Sequence, residues 1–195
     1  MLLALRRALI ATSLLLLAGS AAAQDETLNN TWFKLKFKVK GEAAVPGQEK
    51  PHKGSDTVTA YLHLTLVPPI DSPADGVPTY PMTQYAYDLY TESTPGSWTI
   101  TDGGENGLET ADPTVFYLPS ILFSIHGQDG AIYATHQTIV IKAKLDDENA
   151  LKSATLKSLG GQVFEGTTDG DDAVRGGVVT TGKTVAVEDL PFELG

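Results

Sequence analysis

The 195-residue chain contains no cysteine. Thiol chemistry, thiolate metal sites, cysteine-held iron–sulfur clusters and a lipid anchor on an N-terminal cysteine are therefore excluded, and burial has to hold the fold without disulfides. Basic residues are also few, because 14 Lys and Arg stand against 24 Asp and Glu, giving a net charge of −10. This balance argues against nucleic acid or an anionic membrane as partner, since both recruit basic surfaces.

The first 23 residues have the pattern of a secretory signal. Arg6 and Arg7 precede an apolar run over 8–18, and Ala21-Ala22-Ala23 resembles a cleavage site. The run is shorter than the ~20 residues that a membrane-spanning helix needs. We therefore expect 1–23 to be a cleaved signal peptide and 24–195 a single secreted or periplasmic domain with no transmembrane helix. A permanent N-terminal anchor is the alternative.

Apolar and polar residues alternate with period two along most of the remaining chain, which predicts β-strands. In 32–40, apolar side chains at odd positions alternate with four lysines at even positions. Further strands are predicted over 57–67, 84–91, 97–101, 115–118, 121–126, 131–145, 151–157, 162–165 and 177–187. The 151–157 strand is preferred to a helix over 150–159 that the acidic 146–149 run would cap. The predicted fold is all-β, one domain of about eight to ten strands in an antiparallel barrel or sandwich.

Turn-forming residues predict the connections between these strands. Loops are expected at 41–55, at the glycine-rich 102–112 and at 166–176, and 127–130 reads as a hairpin turn. Five prolines between 68 and 81 exclude a regular strand there. Pro119 is expected to interrupt the apolar runs on either side of it.

The four lysines Lys34, Lys36, Lys38 and Lys40 allow three interpretations. They could recognise an anion along a stripe with ~7 Å spacing. They could instead protect an exposed sheet edge from aggregation, or pair with acidic residues on neighbouring strands. The last two interpretations are preferred.

The sequence has no pattern that identifies catalysis. Gly-x-Ser-x-Gly and His-Glu-x-x-His motifs are missing, so no catalytic residue and no cofactor is assigned. The four histidines, at 52, 63, 126 and 136, are interpreted as surface residues. Segments 102–107 and 169–172 resemble calcium loops only in composition, and ordinary turns are preferred. A metal site therefore stays undetermined.

Aromatic residues supply the candidate ligand-binding site. Tyr85, Tyr87, Tyr90 and Trp98, with Tyr80 nearby, could line a groove for a sugar or a lipid. The alternative is packing in the core or across strands, which is the commoner role of aromatics in sheets.

The opening segment 28–35, with Trp32 at the start of the first strand, resembles lipocalin-like (calycin) barrels. Asn30-Thr31 stand where that family has a glycine before the tryptophan. The resemblance implies an up-and-down barrel whose mouth binds a small apolar ligand, with Trp32 closing the barrel floor.

The leading functional hypothesis is an exported, non-enzymatic domain that binds a small molecule or an envelope partner protein. Its expected walls are the 68–81 and 102–112 loops and the 85–90 strand. One alternative is an envelope structural or assembly protein that holds partners by strand addition. Another is a small outer-membrane β-barrel. An enzyme ranks last.

Overall fold

The computed structural model describes residues 27–43, 52–67, 84–107, 109–112, 114–126, 132–165 and 175–194. The predicted signal peptide, the proline-rich 68–81 loop, the 127–130 turn and the 169–172 segment lie outside the described residues.

Nine antiparallel strands and one short 3-10 turn make up the described chain, which confirms the all-β single domain. The strands are β1 (Thr31–Ala43), β2 (His52–Val67), β3 (Gln84–Thr94), β4 (Ser97–Gly107), β5 (Glu109–Asp112), β6 (Val115–His126), β7 (Ile132–Leu145), β8 (Leu151–Glu165) and β9 (Arg175–Thr184), and the 3-10 turn is Val187–Asp189. None of the described residues forms a helix long and apolar enough to cross a membrane.

All nine strands belong to one sheet that curls into a half-barrel. The order is β4-β3-β2-β1-β9-β8-β7-β6-β5, so the first and last strands lie side by side in the middle. The ring centroids of Phe37 in β1 and Phe123 in β6 are 5.6 Å apart, although a flat sheet would separate these strands by about 19 Å. Across the opening, the Ser124 N–H of β6 donates to the Asp102 carboxylate of β4 at 2.8 Å. Of the two predicted architectures, this curl is that of a barrel.

The predicted loop over 102–112 is wrong, because β4 continues to Gly107 and β5 follows. Glycine allows β4 to pack closely on β3. A Cβ added at Gly103 would lie 3.0 Å from the Asp88 carboxylate, and one added at Gly104 would lie 3.3 Å from the Tyr87 ring. The glycines therefore permit a close approach between strands instead of marking a turn. The calcium-loop resemblance of 102–107 consequently falls on a paired strand.

Two further predictions concern Pro119 and the segment after residue 150. β6 runs through Pro119, where its register with β7 shifts between Leu118 and Ile121; a bulge of this kind tolerates the missing N–H. The preference for a strand after residue 150 is confirmed. Asp146 ends β7 by accepting the N–H groups of Glu148 and Ala150 on Oδ1, both at 2.9 Å, so the acidic run forms a turn and not a helix cap.

The concave face of the half-barrel holds one continuous apolar core. Its largest fully buried side chains include those of Phe33, Phe37, Phe116, Phe123 and Tyr85. The predicted alternation explains this, since the odd-numbered residues 33–39 of β1 and the even-numbered residues 58–64 of β2 are buried. Truncating one of these phenylalanines to alanine would cost about 3–5 kcal/mol.

A buried polar network joins β7, β8 and β9 within that core. Thr180 donates its hydroxyl to Gln137 Oε1 at 2.6 Å, and Gln137 Nε2 donates to Thr135 Oγ1 at 2.9 Å. The Thr180 N–H donates to Ser158 Oγ at 2.9 Å. In the described part of the chain, no buried side-chain N or O atom lacks a partner. These bonds offset the desolvation of the four side chains.

Glycine also sets the approach of β9 to β1. A Cβ added at Gly176 would overlap the backbone carbonyl of Lys40, whereas a Cβ added at Gly177 would meet nothing within 4 Å. The first position therefore requires glycine because of this contact, and the second does not.

Both preferred interpretations of the β1 lysines are wrong. β1 lies between β2 and β9, far from the sheet edges β4 and β5, so there is no edge for the lysines to protect. Their cross-strand partners are Tyr61, Thr59, Thr57 and Ser55 on β2 and Lys183, Thr181, Val179 and Gly177 on β9. None of these is acidic, so the predicted pairing with acidic residues is not found at the directly opposite positions of the two neighbouring strands.

Candidate functional site

Five aromatic rings meet on the convex, outward face of β1 to β4. This outer aromatic cluster consists of Trp32, Tyr61, Tyr90, Trp98 and Phe192. Four of the rings come from four adjacent strands, and the fifth comes from the segment after β9. The cluster is separate from the apolar core, which lies on the opposite face of the sheet.

Strand register places the four strand residues together. Trp32 shares the outward side of β1 with the lysines, and its cross-strand partner on β2 is His63. Tyr61, two residues before His63, is paired with Tyr90 of β3. Cross-strand partners have Cβ atoms about 4.5–5.5 Å apart, so large rings at these positions must touch.

The C-terminal segment 185–194 completes the cluster. The Val185 N–H donates to the Trp32 carbonyl at 3.0 Å, which extends the β9–β1 ladder by one bond. The chain then turns through Val187–Asp189 and returns over the outer face. Phe192 follows this turn, and its ring lies among the rings of the four strands.

Phe192 is the centre of the ring contacts. Its ring stacks on Tyr90 with centroids 4.8 Å apart and planes inclined by 15°. Trp98 lies at 5.6 Å, and Tyr61 packs edge-on at 5.7 Å. Trp32 and Tyr61 are each 3% exposed beneath this layer, whereas Tyr90, Trp98 and Phe192 are half-buried. The accessible part of the cluster is therefore the Tyr90–Trp98–Phe192 layer.

A polar group borders the cluster beside Trp32. The His63 imidazole stacks on the Trp32 ring at 4.3 Å and 8°. Its Nε2 donates to Asn30 Oδ1 at 2.9 Å, since an amide oxygen can only accept. Burial lowers the pKa of His63 from 6.5, and the Asp88 carboxylate opposes this shift. Burial raises the pKa of Tyr90, with Asp88 adding to the shift, so at neutral pH this rim presents a neutral imidazole and a neutral phenol.

A surface cleft of about 390 Å³ adjoins the cluster. It lies where β1 and β8 begin and β9 ends, and it is lined by 30–32, 151–153 and 184–188. Trp32 and Asn30 belong to both the cleft and the cluster's rim. The volume falls within the ~300–1,000 Å³ of small-molecule sites.

The four aromatic residues predicted as ligand-binding divide between the two faces of the sheet. Tyr85 is fully buried in the core. Tyr87 packs at the edge of the core against Phe123, with its hydroxyl 3.4 Å from the Leu122 carbonyl. Tyr90 and Trp98 lie outside, where Phe192 joins them. The structure therefore brings together two of the four predicted residues.

Trp32 has a different place from the one that the calycin resemblance implies. It lies on the outward face of β1 beneath Phe192 and does not close a barrel floor. The reason is its even-numbered position, since the odd-numbered residues 33–39 of β1 face the interior.

The sequence prediction missed Trp32, Tyr61, His63 and Phe192 as parts of this site. Trp32, Tyr61 and His63 share one signal: each is an aromatic or imidazole side chain at an outward-facing position of the strand alternation. Phe192 lacks even that signal, because it lies outside any strand.

Within the described residues, no three His, Asp or Glu side chains are grouped as metal ligands. Neither a protein-family model nor a curated protein nor a solved structure matches this chain. The site is consequently interpreted from its own geometry.

Proposed function

We propose that this chain is an exported, non-enzymatic β domain that binds a small ring-shaped molecule at the outer aromatic cluster and the adjoining cleft. The observation that supports this most directly is a group of five rings on the outward face of the sheet, apart from the core. Export is supported by the signal-like pattern of residues 1–23.

The ring layer suits a ligand with one flat apolar face. Tyr90 and Trp98 offer ring surfaces at the protein surface, and the cleft beside Trp32 supplies backbone and hydroxyl groups from Thr31, Ser153 and Thr184. Small-molecule sites commonly combine aromatic walls with a few polar groups that fix orientation. A sugar ring or a planar aromatic compound has matching chemistry.

The distribution of side chains favours a binding domain over the outer-membrane barrel alternative. A transmembrane barrel presents an apolar band to lipid and a polar lumen. In this protein the apolar core fills the concave face of the sheet, and lysines and threonines occupy much of the convex face.

A partner peptide is the second candidate ligand, because Phe192 shows that the cluster accepts an extended segment. Such a partner would have to displace residues 190–194 from Tyr90 and Trp98. A synthetic peptide of residues 188–195, added to a chain that ends at residue 187, tests this alternative by its own binding.

Tryptophan emission reports on this site selectively, because Trp32 and Trp98 are the chain's two tryptophans and both belong to the cluster. Titration with neutral oligosaccharides and with planar aromatic compounds should give a saturable emission shift. Tyr90→Ala should weaken binding about tenfold, since it removes one ring-stacking partner. Calorimetry measures the variants independently of fluorescence.

Tyr117→Ala is the matched control, because Tyr117 is a half-buried tyrosine on β6, in the other half of the sheet. It should leave binding unchanged. Equal losses in the two variants, or no shift with any compound in folded protein, would contradict the proposed site.

A further inference from the structure

The convex face of β1, β9, β8 and β7 holds eight of the chain's fourteen basic residues. This lysine face consists of Lys34, Lys36, Lys38 and Lys40 on β1, Lys183 on β9, Lys157 on β8, and Lys142 and Lys144 on β7. Lys34 is half-buried and the other seven are exposed. In a chain with a net charge of −10, such a concentration of lysine on four adjacent strands needs a physical reason.

Strand register aligns these lysines in rows across the sheet. Lys34 is directly opposite Lys183, whose other partner, Thr155, is opposite Lys142. In the next row, Thr181 lies between Lys36 and Lys157. Like charges directly opposite each other destabilise a sheet. A local cost of this kind is typical of positions that serve a function.

The side chains that the structure describes on this face supply no carboxylate to neutralise it. Among the side chains that the structure describes, those on the outward side of these four strands include no Asp or Glu. The described carboxylates lie instead on β2 to β4, in the β7–β8 turn and in the C-terminal segment. The face measures roughly 20 Å along β1 and 14 Å across the four strands. Because charges are screened over about 8 Å at physiological salt, a ligand on this face senses mainly the lysines.

We propose that the lysine face binds a linear anionic polysaccharide. Lysine ammonium groups are point charges with freely rotating donors, and the hydroxyls of Thr155 and Thr181 lie between them. A chain of uronate or sulfated sugars offers repeated negative charges together with hydroxyl groups and apolar C–H faces. The exposed Leu159 and Val179 side chains, 67% and 50% exposed, provide contacts for those C–H faces. This inference does not depend on the outer aromatic cluster.

Other polyanions fit less well. A rigid DNA duplex laid on this face would bring its phosphates towards the acidic remainder of a chain with a net charge of −10. Membrane-surface proteins add bulky aromatic side chains that insert between lipids, whereas the apolar residues here are aliphatic and the face is convex. A thin, flexible polysaccharide can follow that curve while staying clear of the acidic remainder of the protein.

Binding to size-defined polygalacturonate and to heparin fragments tests the proposal, with neutral dextran as a control. Calorimetry on the purified chain should show binding at about 50 mM NaCl that weakens as salt is raised, because the attraction is screened. The double variant Lys36→Gln/Lys157→Gln should lose about 25-fold in affinity, at roughly fivefold per lysine. Lys36→Arg/Lys157→Arg should stay within about twofold, since the charges are kept.

The matched control, Thr94→Glu/Leu122→Glu, changes the net charge by the same amount at exposed positions on β3 and β6, outside the face. It should retain most of the affinity. Equal loss in this control would overturn the assignment to the face. The proposal also fails if neither anionic polysaccharide binds at low salt, or if phosphatidylglycerol vesicles or duplex DNA bind more tightly than both.

Discussion

Phe192→Ala is the substitution that most directly tests how the outer aromatic cluster is built. Phe192 contacts four rings while remaining half-buried. Replacing a fully buried phenylalanine by alanine costs about 3–5 kcal/mol, so half-burial brings the expected loss to about 2 kcal/mol. For a domain of this size, that corresponds to about 4–8 °C in melting temperature. The loss is an upper bound if the C-terminal segment detaches before global unfolding.

Urea unfolding followed by far-UV circular dichroism measures the global loss. Tryptophan emission in native buffer measures local exposure, and it should shift to longer wavelength because Trp32 and Trp98 lose their cover. Leu194→Ala is the matched control: Leu194 lies two residues further along and is 49% exposed, so its loss should stay within about 0.5 kcal/mol. Unchanged emission and an unchanged free energy of unfolding in Phe192→Ala would refute the docking of this segment.

Three further predictions concern the core, the rim and the β1–β9 contact. Thr180→Val should destabilise by about 1–3 kcal/mol in urea unfolding, because the buried glutamine loses its hydroxyl donor; Thr181→Val, on the exposed face, should stay within about 0.5 kcal/mol. The free energy of unfolding should fall as the pH drops below 6.5. The pKa of His63 is lowered in the folded chain, so the unfolded chain binds a proton there more readily than the folded chain does. The urea midpoint of His63→Gln should fall less over the same pH range. Gly176→Ala should cost about 3 kcal/mol or prevent folding, since its Cβ overlaps backbone, whereas Gly177→Ala should be close to neutral by the same assay.

Period-two patterning was sufficient to predict most of the sheet. It located the apolar alternation of β1, β2, β3 and β7, because one face of each strand is buried and the apolar residues must therefore recur at every second position. The predicted 41–55 loop is too long, since β1 continues to Ala43 and β2 begins at His52. The polar residues Thr135 and Gln137 of β7 are buried at alternate positions with its apolar residues. Polar residues inside the core did not mislead the prediction because they keep the strand's alternation.

Tertiary contacts decided what the patterning could not. The segment 102–112 has the composition of a loop, yet β3 offers a long partner, and the small size of Gly103 and Gly104 lets β4 pair with it. Composition alone cannot distinguish a glycine that forms a turn from a glycine that allows two strands to approach closely. The same limit applies to the four β1 lysines, whose central position in the sheet follows from the pairing of β1 with β9.

The candidate site was only half predictable for a related reason. Tyr85 and Tyr87 have inward parity and Tyr90 has outward parity, so the sequence itself separates them. Phe192 could not be located, because it reaches the cluster through an irregular segment whose path depends on the turn at Val187–Asp189.

β1 links the two proposed surfaces, and this leads to a test of whether they act as one. Its outward residues include Trp32 of the cluster and the four lysines, and Lys34 Nζ lies 5.7 Å from the centre of the Tyr61 ring. An acidic oligosaccharide long enough to span the junction could stack on the rings and meet the lysines together. In that case the effects of Tyr90→Ala and Lys36→Gln on its affinity should be non-additive. Loss of the ring contact would weaken the positioning of the ligand on the lysines, and loss of a lysine would weaken its positioning on the rings. Additive losses, within about 0.5 kcal/mol in a double-mutant cycle, would instead indicate two independent sites on one strand.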